Sequence, residues 1–183
     1  MKPSGKTLAS AILLYEISQL AAGQSFQVPQ NYSLVKKADY EKDVIIRVNW
    51  LETTPVNQHR EMRKEANIFL LMWVTGSPNV NIALNQKIPG FSKNPDLMMI
   101  FLGGWTKFDL EYPNQSKDKV AGNVAGIKSV IKVYQANLGK GIRKDRDVQK
   151  MIKLEKKGKI GREGEQAGKK VKGLFQIFLN NGV

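Results

Sequence analysis

The chain reads as an all-α domain, with five to seven helices in antiparallel hairpins around one buried central helix at about residues 95–111. Three observations predict this. The apolar run Leu97-Met98-Met99-Ile100-Phe101-Leu102 follows a helix-starting Asn94-Pro95 pair and passes into Gly103-Gly104-Trp105. Elsewhere apolar residues recur at steps of three and four, the period of a helix with one buried face. Short breaks such as Tyr112-Pro113-Asn114 separate the periodic stretches and turn the chain back. A length of 183 residues suits one domain with a proper core. With 42% hydrophobic and 25% charged residues, the composition excludes disorder throughout.

At the N-terminus Lys2 and Lys6 precede Leu8 to Tyr15, an apolar centre, and then the small residues Ala21-Ala22-Gly23. That is the layout of a secretory signal peptide over residues 1–23, with cleavage near 22–25. Glu16, at the end of the apolar centre, departs from the pattern. The alternative is an amphipathic first helix of the mature domain. The run is too short to span a bilayer, and later segments are interrupted by Gly or charge, so no transmembrane helix is expected in the mature chain. The expected layout is thus a leader, a helical domain over 24–157, and a basic Gly-rich tail over 158–183 carrying a short amphipathic helix. The expected location is secreted or periplasmic.

Within the domain, residues 26–36 look extended, with Pro29 discouraging helix before it. A helix then starts at Asp39 and runs to about Thr53, with Val44, Ile45, Val48 and Leu51 at helical spacing and Trp50 flanking them. Thr53-Thr54-Pro55 ends it. Asn57 is placed to cap a second helix reaching about Thr75, whose stripe is Met62, Ala66, Phe69, Leu70 and Trp73. Its second half, Ile68 to Val74, is apolar all round and is expected to be enclosed. Ser77-Pro78 restarts a short helix carrying Val80, Ile82, Ala83 and Leu84. Pro89-Gly90 turns the chain, and the Asn94-Pro95 start opens the central helix, which runs to about Glu111.

Ser116 is placed to cap the next helix, Lys117 to Leu138. Its apolar residues Val120, Val124, Ile127, Ile131, Tyr134 and Leu138 cover about 80° of one face at 100° per residue. Gly122, Ala125, Gly126, Ser129 and Ala136 lie nearly opposite. Each interior glycine costs a helix about 1 kcal/mol against alanine, so the small-residue side needs a compensating close contact. Helix packing supplies one; a ligand or partner against Trp105, Gly122, Gly126 and Ser129 is the sharper alternative. After the Gly139 to Gly141 break, Asp145 and Asp147 start a basic helix with Val148, Met151, Ile152 and Glu155 on one face. The stretch from Lys157 to Gly168 is Gly-rich and charged and is expected to be mobile. A last stripe follows at Val171, Leu174, Phe175, Phe178 and Leu179.

Little in the sequence nominates catalysis. The absence of cysteine excludes disulfides, thiolate metal sites and thiol chemistry. A single histidine, His59, sits in a charged turn and cannot form a paired-histidine metal motif. Gly139-Lys140-Gly141 and Gly158-Lys159 lack the remainder of a phosphate-binding loop. Trp50, Trp73 and Trp105 flank apolar faces, where packing is their ordinary role. No catalytic residue, cofactor or metal is therefore assigned.

Charge is the remaining lead. The net charge is +13, of which residues 1–136 supply +5 and residues 137–183 supply +8. Lys150, Lys153, Lys156, Lys157, Lys169 and Lys170 are the candidate contacts for nucleic acid or an anionic surface, within a basic region over 140–172.

Three segments, Trp50-Leu51-Glu52-x-Thr54-Pro55, Trp73-x-x-Gly76-Ser77-Pro78 and Ile100-Phe101-x-Gly103-Gly104-Trp105, resemble those of a group of small secreted helical proteins of unknown function. The resemblance covers about residues 26–155. It implies an extracytoplasmic helical domain and carries over no catalytic residues. Taken together, the expectation is a non-enzymatic binding or interaction protein, its partner an unidentified protein or small ligand. A basic module for nucleic acid or an anionic surface is the alternative.

Overall fold

Helix α1, Glu41–Thr53, opens the described part of the chain. The computed structural model describes residues 40–77, 91 and 93–161. The expected leader, the extended stretch 26–36, the short helix after Ser77 and the tail beyond Gly161 lie outside them. Among the described residues there are five α-helices and no strand, so the all-α class holds.

Helix α1 forms where the sequence places a stripe: Val44, Val48 and Leu51 are fully buried. Glu41 and Asp43 in its first turn suit the positive end of the helix dipole. Thr54 is extended before Pro55, as the proline ring requires, and stops it.

Helix α2 spans Arg60–Gly76. Asn57 does not cap it. The boundary is His59, held left-handed at φ 49°, whose carbonyl accepts the Arg63 N–H at 2.9 Å. Ala66, Phe69, Leu70 and Trp73 are buried as their spacing predicts. The second half is not enclosed all round, however: Ile68, Leu71 and Met72 stay half-exposed. An apolar run alone does not report how many neighbours reach a helix.

Helix α3, Asp96–Glu111, is the central one. Every residue from Met99 to Thr106 is buried, and α1, α2 and helix α4 (Lys119–Asn137) all contact it. Each large apolar side chain enclosed there contributes about 1.5–3 kcal/mol. Asn94 is not its cap. The Asn94 side chain instead accepts the Arg143 N–H at 2.8 Å and donates to the Arg143 carbonyl at 2.9 Å, pinning a loop 49 residues away.

A 3-10 turn at Pro113–Gln115 carries the chain into α4. Asp118, not Ser116, caps α4, accepting the N–H groups of Val120 and Ala121 at 3.0 and 3.1 Å. Ser116 donates to the Pro113 carbonyl and closes the turn. Trp105 then faces Gly122 and Phe101 faces Gly126, so α3 and α4 run antiparallel. The expected stripe is buried at Ile127, Ile131 and Tyr134, while its ends, Val120 and Leu138, are each 45% exposed.

Gly139 and Gly141 adopt φ of 77° and 115°, conformations open to glycine, and let the chain reverse. The Asn137 amide accepts the Val56 N–H at 3.0 Å, and the Tyr134 hydroxyl accepts that of Asp145 at 3.1 Å. Helix α5, Arg146–Lys156, follows with Asp145 as its cap, as the sequence predicts. Gly158 ends it at φ 64°: Lys159 N–H reaches the Leu154 carbonyl and Gly158 N–H that of Glu155. This paired closure is a Schellman end. The described chain continues past Lys157 to Gly161, with Ile160 buried.

Candidate cationic surface

The structure brings Trp105, Gly122, Gly126 and Ser129 together, but inside the protein. Trp105 is 1% exposed, and its indole lies directly over Gly122, where a Cβ would collide with the ring. A Cβ on Gly126 would stand 2.8 Å from the Phe101 carbonyl oxygen, and one on Gly104 would strike Ser129. The glycines are thus explained by helix α3 lying against helix α4. The ligand or partner face expected there is filled by the chain itself.

Ser129 has a different assignment. Its hydroxyl donates to Glu52 Oε1 at 2.6 Å, and Lys107 and Lys132 reach Oε2 at 3.2 and 3.1 Å. One carboxylate so ties α1 to α3 and α4. Burial raises the Glu52 carboxyl, but the Ser129 hydrogen bond and the two lysines outweigh it and hold the group below its ordinary value. A serine donating to a carboxylate that two ammonium groups already hold ionised has no base to activate it, so the cluster is a clamp. Nothing local in the sequence marks Glu52, whose partners lie 55 to 80 residues away.

Asp109 is 3% exposed, and neither carboxyl oxygen has a hydrogen-bond partner among the described residues. Burial pushes the group up to about 7. The Trp105 indole N–H, one turn earlier, opposes this without outweighing it, and does not meet the geometry of a full hydrogen bond. His59 is exposed, its ring centroid 6.2 Å from that of Trp50. No three metal-ligating side chains converge among the described residues.

The charged candidates fare differently. Lys150, Lys153, Lys156 and Lys157 are all exposed, and none pairs with a carboxylate among the described residues. Lys169 and Lys170 lie outside those residues. The structure adds Arg146: at 100° per residue Arg146, Lys150, Lys153 and Lys157 fall within about 60° of one face of α5. Val148 and Met151 point the other way and are buried. Lys140, Arg143, Lys144 and Lys159 extend the cationic surface at both ends of the helix, against Asp145, Asp147 and Glu155. Asp145 is itself buried and occupied in capping, which leaves the outer face strongly positive.

Comparison with known proteins adds no relative: no family model, no curated protein and no solved structure matches the chain.

Proposed function

We propose that the protein is a non-enzymatic binding protein whose working surface is the cationic face of helix α5 and whose partner is the phosphate backbone of nucleic acid. One observation carries this reading. The stripe Arg146, Lys150, Lys153 and Lys157 is exposed and lacks carboxylate partners among the described residues, on a helix fastened to the core by its opposite side. The stripe is about 16 Å long at 1.5 Å per residue, a length over which duplex DNA presents about ten phosphates.

An anionic bilayer suits the surface less well. A helix lying in a membrane inserts its apolar side, and Val148 and Met151 are already inside this domain. No aromatic residue interleaves the stripe, so base stacking is not part of the contact. The reading is one of backbone binding without sequence preference.

Titration of a short DNA duplex against the protein is expected to show affinity falling with salt, at a log–log slope of about −3 to −4 for four contacts. The variant Lys150→Glu/Lys153→Glu/Lys157→Glu should bind at least about a hundredfold more weakly at low salt with its thermal unfolding unchanged. Salt-independent binding, or full affinity in that variant, would remove the proposal. Binding to anionic vesicles and not to DNA would assign the surface to a membrane.

The proposed location is extracytoplasmic, supported by the leader-like pattern of residues 1–23. Sequencing the N-terminus of the protein from its native host should find a start near residues 22–25. A mature chain beginning at Met1 would refute it.

A further inference from the structure

Helix α2 has a second face that is only partly covered. Arg60, Lys64, Asn67, Ile68 and Leu71 follow one another at helical steps along it, away from the buried Ala66, Phe69, Leu70 and Trp73. This face forms one wall of a cleft of about 560 Å³. Pro95, Asp96 and Met99, at the start of α3, form the other wall, while Val56, Asn57 and Gly141 close one end. Gly141 seals that end by close approach: a Cβ there would stand 2.7 Å from Val56 Cγ2.

The cleft is graded in polarity. Arg60, Arg63 and Lys64 line it along the first turns of α2, nearest Asn57, and Ile68 and Leu71 along the later ones, with Met99 adding to the apolar lining. Arg63 is held in place, donating to the Thr54 carbonyl at 3.0 Å and to that of Leu51 at 3.4 Å, and it is 6% exposed. Asp96 lies near enough to act on the Arg63 charge. That leaves Arg60 and Lys64, both exposed, without a carboxylate partner among the described residues. The Asn67 side-chain amide oxygen is buried in the cleft wall and accepts no hydrogen bond among the described residues. From Arg60 to Leu71 the wall runs about 16 Å at 1.5 Å per residue.

We propose that this cleft is a binding site for a small amphipathic anion, an acyl chain of medium length ending in a carboxylate, with its head at Arg60 and Lys64 and its chain along Ile68, Leu71 and Met99. The chemistry follows from the lining. A pocket of this volume suits a single small molecule, apolar over most of its length with a few polar groups fixing one end. Three cations in the lining, Arg60, Arg63 and Lys64, outnumber its one carboxylate, Asp96, and select the sign of that end. The site is independent of the cationic face of α5, from which it shares no residue.

Decanoate below its micelle concentration, titrated into the full chain and followed by NMR, should give saturable shifts at Asn67, Ile68, Leu71 and Met99. Arg60→Glu/Lys64→Glu should weaken binding about tenfold or more, and Lys150→Glu/Lys153→Glu should leave it unchanged. Decanol and decyltrimethylammonium should bind more weakly than decanoate. Absence of saturable shifts at those four residues would overturn the proposal, as would equal affinity for decanol or decyltrimethylammonium, or undiminished affinity in the charge-reversed variant. Should that double variant fail to fold, Lys64→Gln is read the same way, with a loss of about threefold expected.

Discussion

Gly126→Val is expected to lower the stability of the domain by about 3 kcal/mol or more, and its melting temperature by roughly 10 °C. Phe101 is the reason. A Cβ at position 126 stands 2.8 Å from the Phe101 carbonyl oxygen and 2.8 Å from its ring. The ring is enclosed by its own neighbours, including Trp105 at a centroid distance of 5.8 Å and Phe91 at 6.4 Å. The carbonyl belongs to a helix backbone and cannot rotate away. Replacing glycine in a helix ordinarily helps by up to about 1 kcal/mol, so a loss here measures the closeness of the two helices. Gly139→Ala is the control. It has open space for a Cβ but a φ of 77°, and should cost only about 1 kcal/mol. Urea unfolding distinguishes them, and a Gly126→Val protein as stable as the parent would show that the helices do not meet there.

Asp109→Asn is expected to stabilise the protein above pH 7 and to change little below pH 4. The native carboxyl holds its proton up to about pH 7 because it is buried, whereas the unfolded chain ionises near pH 4. Between those values the unfolded state has fewer protons bound than the native one, so native stability falls as pH rises and levels off above 7. The full difference is worth a few kcal/mol. Asparagine carries no charge and escapes the penalty, and its volume is nearly that of aspartate. Unfolding curves at intervals from pH 4 to pH 8 should therefore show the variant and the parent diverging with rising pH. Parallel curves would mean that Asp109 is ionised and paired in the native protein. Glu52 acts with the opposite sign: held low by Ser129, Lys107 and Lys132, it contributes stability above its unfolded value that is lost as acid protonates it.

The helices themselves were legible because burial leaves a period. The run from Leu97 to Leu102, the apolar stripe of α4 and the opposed faces of α5 each state which side is inside before any contact is known. Caps were less legible. Asn57, Asn94 and Ser116 have the right chemistry, but His59, Pro95 and Asp118 occupy the boundaries. A polar side chain near a helix start has competing partners, and Asn94 takes a loop 49 residues distant. Two of the three buried carboxylates among the described residues were not legible at all, since nothing local sets Glu52 or Asp109 apart from exposed ones. Gly122 and Gly126 announce that something comes close, and only the fold says that it is Trp105 and Phe101.

The loop between α4 and α5 is moored at two distant points, by Asn137 to Val56 and by Asn94 to Arg143. These amides stand in for the backbone pairing that a loop otherwise lacks. The helix beyond it is therefore aimed before any partner arrives, and association need not freeze it. Weakening either mooring should keep every lysine in the sequence and yet weaken the proposed nucleic-acid complex, because orientation would then have to be settled at the moment of encounter.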